Sequence, residues 1–185
     1  MNKAFKALAV ATTLALGISA LPALAAPKYV GGAPMYDTKT IVENAVNSAD
    51  HTTLVAAVKA AGLVEALSGP GPFTVFAPVN AAFAALPAGT VDTLLKPENK
   101  KMLVKILTAH VAAGDWTYED LKAKAEANGG QWAFKTLSGD TLTAVLKNDR
   151  VYIVSESGDI GRITITDVNQ SNGVIHVVNK VLLPK

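Results

Sequence analysis

Apolar residues recur along this chain with two different periods, and the change falls near residue 131. Ile41, Val42, Ala45 and Val46 share one helical face, and Leu54, Val55, Val58 and Ala61 repeat that spacing up to Gly62, a fitting C-terminal stop. The Gly/Pro block at 68–72 breaks this stretch. Residues 73–77, FTVFA, are β-branched and aromatic and too short for a helix, so they predict a strand ended by Pro78. Asn80 is placed to cap a short helix through Phe83, and Thr90 to cap another carrying Val91, Leu94 and Leu95. Pro97 suits the first turn of a helix carrying Met102, Leu103, Ile106 and Leu107. Thr117 and Asp120 have the spacing of a capping box, and Gly129-Gly130 closes the helix it would start.

From Gln131 onward the period becomes alternating. Short strands are expected at 132–137, 140–146, 150–155, 162–168 and 174–183, with turns at Ser138-Gly139-Asp140, Lys147-Asn148-Asp149 and Ser157-Gly158-Asp159. Helices dominate the first half and strands the second, which predicts α+β packing and not a doubly wound parallel sheet. In the last strand, counting by twos gives two largely apolar rows. One is Ile175, Val177, Asn179, Val181 and Leu183; the other is Val174, His176, Val178, Lys180 and Leu182. Such a strand belongs inside a sheet, where it would tie the end of the chain to its beginning.

Residues 1–25 read as a signal peptide. Lys3 and Lys6 make a basic start, 7–20 is mostly apolar, and Ala23-Leu24-Ala25 supplies the small-x-small cleavage pattern. The apolar run is too short for a membrane anchor, so no transmembrane segment is expected after cleavage. Residues 26–37 mix Gly, Pro and aromatic residues without period and predict an N-terminal arm, with the domain itself at 38–185. The leader also carries the basic balance: 17 basic and 15 acidic residues become 15 and 15 once Lys3 and Lys6 are set aside. A neutral chain without a Lys/Arg cluster has no electrostatic footprint for nucleic acid or anionic lipid. The roughly 160 remaining residues suffice to bury roughly 70% of the unfolded surface in one domain. The chain has no cysteine, which removes disulfides, thiolate nucleophiles and thiolate zinc sites together.

Candidate chemistry is sparse. There is no phosphate-cradling glycine loop, nucleophile elbow or H-E-x-x-H helix. Glu119-Asp120 is best explained as negative charge at a helix start, and Asp37, Asp50, Asp140 and Asp167 as turn or cap residues bonding their own backbone. His51, in SADHTT, reads as a solvated neighbour of a helix start. His110 and His176 lie in apolar surroundings and read as core histidines satisfied by hydrogen bonds; a shared metal site lacks a third ligand at a recognisable spacing. Phe73, Phe76 and Phe83 are expected in the core. Trp116 and Tyr118 are expected to be exposed beside a Gly-Asp turn, and Trp132 and Phe134 are either a core pair or part of a binding surface.

Several stretches, taken together, resemble the fasciclin domain family. GPFTVFAPVNAAFAALP at 71–87 is similar to its first signature segment and SNGVIHVVNKVLLP at 171–184 to its closing one. Between them, LVKILTAHVAAGDWTYEDL stands in the place of the family's Tyr-His region, and TLSGDTLTA resembles the strand pair that follows. The layout resembles small exported bacterial members with a single such domain. The resemblance implies a β-strand wedge flanked by α-helices, with no catalytic residues, metal or other cofactor. It also carries over candidate interaction or motif positions at Ala109, His110, Asn172, His176 and Asn179. Ala109 replaces the tyrosine, removing a large amphipathic contact group of the kind that anchors interfaces. Asn179 stands where Asp is usual, keeping an acceptor without the charge, and Val79 stands where a small hydroxyl residue is usual.

The function expected is that of a non-enzymatic interaction module, periplasmic, secreted or on the cell surface. It would contact a cell-surface, matrix or envelope protein or polysaccharide through loops and the sheet edge. The alternative is a periplasmic carrier of a small apolar or aromatic ligand held between helices and wedge. A hydrolase or metalloenzyme using His110 and His176 is disfavoured by the missing ligand and triad partners.

Overall fold

The computed structural model describes residues 26–185; the expected signal peptide, residues 1–25, lies outside the described residues. Residues 26–37 prove to be more than an arm. Lys28–Val30 (β1) and Ala33–Met35 (β2) pair antiparallel around Gly31-Gly32. Those glycines have φ of 58° and 78°, the left-handed values that a tight two-residue hairpin turn needs. Val30 and Met35 face inward and are buried, so two side chains pin the hairpin to the same core that the helices cover.

The helices follow the apolar pattern, but some of their caps do not. Ile41–Ala45 (α1) starts with a capping box between Thr40 and Glu43. Thr52–Ala61 (α2) stops at Gly62, whose φ of 74° makes the left-handed C-terminal turn. Val64–Ser68 (α3) follows, then Phe73–Pro78 (β3), Asn80–Ala84 (α4) and Thr90–Leu94 (α5). Asn80 does not cap its own helix. Its Oδ1 accepts from Thr53 N at 3.0 Å and its Nδ2 donates to Ala49 O at 2.8 Å, so it caps α2 from across the fold. Thr90 is likewise the first residue of α5, behind a left-handed Gly89, and makes no cap bond. A 3-10 turn at Pro97–Asn99 leads into Lys100–Thr108 (α6), and Val111–Ala113 (β4) follows. The predicted capping box of Thr117 and Asp120 opens Tyr118–Ala127 (α7).

The strand-rich half contains Gln131–Lys135 (β5), Thr141–Lys147 (β6), Arg150–Ser155 (β7), Ile160–Gln170 (β8) and Gly173–Val178 (β9). Together with β3 and β4 they form one sheet in the order β4-β3-β9-β8-β7-β6-β5. The architecture is α+β, a β wedge flanked by helices. The last strand is interior, parallel to β3 on one side and antiparallel to β8 on the other. It ends at Val178 and not at 183. Its partner β3 ends at Pro78, which has no N–H to continue a ladder. Past that point Val181 and Leu182 are buried by packing instead of strand pairing.

The two edges of the sheet nearly meet. Ala112 bridges Thr136, and Leu137 N donates to Val111 O at 2.8 Å, joining β4 to the end of β5. This contact lies past the end of β5, so Gln131–Lys135 remains an end strand of the sheet. At the other end of the wedge, β3 and β9 start in backbone contact. A Cβ on Gly173, whose φ is 150°, would run into the Phe73 carbonyl oxygen, and one on Gly71 into that of Asn172.

Candidate functional site

His176 stands in the middle of β9, fully buried, under a layer of rings. Its Nε2 lies 2.8 Å from Trp116 O and its Nδ1 3.3 Å from Asp167 N. A backbone N–H only donates and a carbonyl only accepts, so Nδ1 is the acceptor and Nε2 carries the proton. The ring stacks on Phe76 at 5.7 Å and 25°. Phe134 packs 5.9 Å from Phe76, and Trp116 and Trp132 meet at 4.8 Å in an edge-to-face pair. Trp116 is thus half-buried against this cluster and Trp132 and Phe134 extend it, which settles the open choice in favour of packing. Lys124 Nζ covers Trp132 at 4.8 Å from its ring centre. Tyr118, also half-buried, accepts from Val151 N at its hydroxyl, 3.0 Å away.

His110 has the opposite tautomer. Its Nε2 accepts from Leu182 N at 2.9 Å and its Nδ1 donates to Ile106 O at 2.8 Å. Burial lowers its pKa to about 4, only partly offset by the Ile106 carbonyl; burial also lowers that of His176, against the Trp116 carbonyl. The two imidazoles share no partner. Phe76 ties to both: its N–H donates to His110 O at 2.9 Å while its ring stacks on His176. Among the described residues no group of three His, Cys, Asp or Glu is placed to hold a metal ion.

His51 is not solvated. It ends a 3-10 turn at Ala49–His51, 3% exposed, with Nδ1 2.9 Å from Ser48 Oγ. Its buried Nε2 has no hydrogen-bond partner among the described residues, and burial lowers its pKa, an effect that the Ala77 backbone and Asp50 oppose.

Asn172 is a structural junction. Its Oδ1 accepts from Ile41 N at 3.0 Å and its Nδ2 donates to Leu67 O and Gly69 O, both at 2.9 Å. One amide thereby closes the N-terminal turn of α1, the C-terminal turn of α3 and the start of β9. Ala109, the C-cap of α6, is 2% exposed. Of the positions carried over from the family pattern, Ala109, His110, Asn172 and His176 are buried, and Asn179 is exposed. Asn179 Oδ1 accepts from Arg162 N at 2.8 Å, which fixes the exit of β9 against β8. The buried four act on the fold from inside and offer no side chain to a partner.

Two sites fall outside the expected positions. The buried amide of Asn44 bonds both the N–H and the carbonyl of Tyr36, at 3.1 and 2.7 Å, and reaches Gln170 Oε1. It thereby holds the exit of the hairpin to α1 and β8. Next to it, the hairpin and the C-terminal end of β8 line a cleft of ≈340 Å³ whose walls are mostly apolar, with Lys28, Tyr36, Asp37, Asp167 and Asn169 among the residues that bring polar groups to it. Asp167 has a left-handed φ of 51° at a register irregularity of β8. Its Oδ1 accepts from Tyr118 N at 2.7 Å, so the carboxylate bonds a distant helix start and not its own turn. The cavity between α1, α2, α3 and β3, where an apolar ligand would have to sit, measures only ≈50 Å³. Small-molecule pockets run to about 300–1,000 Å³.

Comparison with known proteins places this geometry. A Fasciclin domain family model matches residues 49–184. Protein sll1483 of Synechocystis sp. is 52% identical over 145 residues, covering 78% of this chain and 73% of its own length. The cell surface glycolipoprotein MPB83 of Mycobacterium bovis is 35% identical over 122 residues, 66% of this chain and 48% of its own length. Among solved structures, the FAS1 domain pair from the insect cell adhesion molecule Fasciclin I superposes with a TM-score of 0.70 at 18% identity. That superposition covers 78% of this chain and 51% of that one, and it shows a shared fold.

Proposed function

Because the chain belongs to the fasciclin domain family, we propose that it is an exported, non-enzymatic interaction module binding a protein or polysaccharide of the cell surface, matrix or envelope. The observation that carries this reading is the state of the histidines. His110 and His176 each have both ring nitrogens engaged by backbone groups, so neither is free to act as base, nucleophile or ligand. The names of the compared proteins, a cell surface glycolipoprotein and a cell adhesion molecule, support the location and the role. No helix among the described residues is long and apolar enough to cross a membrane.

Contact would be made through loops, the sheet edge and the N-terminal hairpin, where Tyr29 is 66% and Tyr36 43% exposed. Exposed tyrosines supply large contact area at small entropic cost. The test is binding of the purified protein to whole cells, envelope fractions and extracted polysaccharide at several salt concentrations. Binding above that of an unrelated neutral protein is expected; none in any fraction would overturn the reading.

A further inference from the structure

We propose that the cleft between the β1–β2 hairpin and the C-terminal end of β8 binds a neutral saccharide, either a free sugar or the end of a glycan chain. The inference deepens the interaction reading above and rests on it. At ≈340 Å³ the cleft falls within the size range of small-ligand sites. Its chemistry then narrows the class. Asp37 and Asp167 supply carboxylates that accept from hydroxyl groups in charge-assisted bonds. Asn169 offers both a donor and an acceptor, and Tyr36 adds an aromatic ring for the C–H face of a sugar.

Charge balance favours a neutral ligand. Two carboxylates oppose an anion, while Lys28 in the wall and Lys39, 5.3 Å from the Tyr36 ring centre, oppose a cation. An apolar ligand would desolvate the carboxylates without bonding them. A polyhydroxyl ligand satisfies all of these groups at once.

The polar groups are also held in place before any ligand arrives. Lys28 Nζ is anchored on Thr166 O at 2.7 Å and keeps further donors available. Asp167 is fixed twice, by Tyr118 N on its Oδ1 and by its own N–H on His176 Nδ1, which restrains both its backbone and its carboxylate. Preorganisation of this kind lowers the entropic cost of binding. His176 is in this sense a positioning residue, holding the backbone from which Asp167 projects. One wall of the cleft comes from residues 26–38, which precede the segment matched to the family.

The experiment is an amide-resolved NMR titration of the full chain. The probes are glucose, galactose, mannose and N-acetylglucosamine, then cellotetraose and chitotetraose. At least one probe is expected to move the signals of Tyr36, Asp37 and Asn169. Tyr36→Ala and Asn169→Ala should each weaken that probe about fivefold or more, the value of one hydrogen bond or ring contact. Both side chains are exposed, so both variants should fold; Met102→Ala, an exposed residue outside the cleft lining, should bind as the unchanged protein does. A response to monosaccharides identifies a free sugar or chain end, and a response to a tetrasaccharide alone identifies a glycan chain. If no probe moves these signals, or if both cleft variants titrate like the parent, the proposal is overturned. Retained binding to cells with a silent titration would remove the cleft and leave the interaction reading standing; loss of both would remove both.

Discussion

Replacing Asn172 by alanine removes a side chain that joins α1, α3 and the start of β9 at one point. The change breaks three hydrogen bonds, to Ile41 N, Leu67 O and Gly69 O, at a residue that is 8% exposed. A buried polar group left without a partner costs about 1–3 kcal/mol, and slight solvent access at this site returns part of that. A total loss of about 3–5 kcal/mol follows, a large share of the roughly 5–15 kcal/mol of a typical domain. In a domain of this size that lowers Tm by roughly 6–20 °C. Urea unfolding at neutral pH reads the loss directly. Asn172→Asp supplies the control. One carboxylate oxygen still accepts from Ile41 N, but the other faces the Leu67 and Gly69 carbonyls in place of an amide donor. The folded pKa of that carboxylate must therefore lie above its unfolded value of about 3.9. A raised carboxylate pKa means that stability is lost as pH rises through it, so the Asp variant should recover toward acid pH, where the protonated acid donates to one carbonyl. The Ala variant has no such group and should keep a constant deficit. A deficit below about 1 kcal/mol for Asn172→Ala, or a pH-independent one for Asn172→Asp, would refute the junction.

Three further outcomes follow from the geometry. His110, His176 and His51 all have folded pKa values below the ordinary 6.5, His110 at about 4, so the unfolded chain binds more protons in that window. Stability should be full above pH 6.5 and fall toward pH 4, with His110 alone contributing about 3 kcal/mol of the loss; pH-independent urea midpoints across this range would contradict it. Gly173→Ala should prevent folding or cost more than about 4 kcal/mol, because its Cβ meets the Phe73 backbone, whereas Gly129→Ala, with open space around it, should cost only about 1 kcal/mol for its left-handed φ. Asn179→Asp restores the residue usual in the family and keeps the acceptor for Arg162 N, so its unfolding free energy should stay within about 0.5 kcal/mol of the parent.

What the sequence disclosed was mostly local. Alternation marked the strand-rich half, the Thr117–Asp120 spacing marked a cap, and two apolar rows placed the last strand inside the sheet with His176 buried in it. What it concealed depends on residues far apart in the chain. Asn80 resembles the cap of the helix beside it, yet the donors that claim it are at Thr52 and Thr53. His51 sits among polar neighbours in sequence, but in the fold it shares a small cavity with distant residues such as Val30, Met35, Val75 and Ala77. The hairpin had a usable signal, two glycines between three-residue runs, which Pro34 and the short runs obscured. The cleft was invisible for the same reason: its walls come from residues 26–38 and 167–169.

The central position of β9 sets the order in which the molecule is made. Phe73 pairs with Gly173 and Val75 with Ile175, so the middle of the sheet stays vacant until the last strand has emerged. Pairings this distant in sequence are slow to form, because loop-closure entropy is lost before any contact rewards it. In a chain built in this way the sheet cannot be completed until residues 173–178 are available to pair with both β3 and β8.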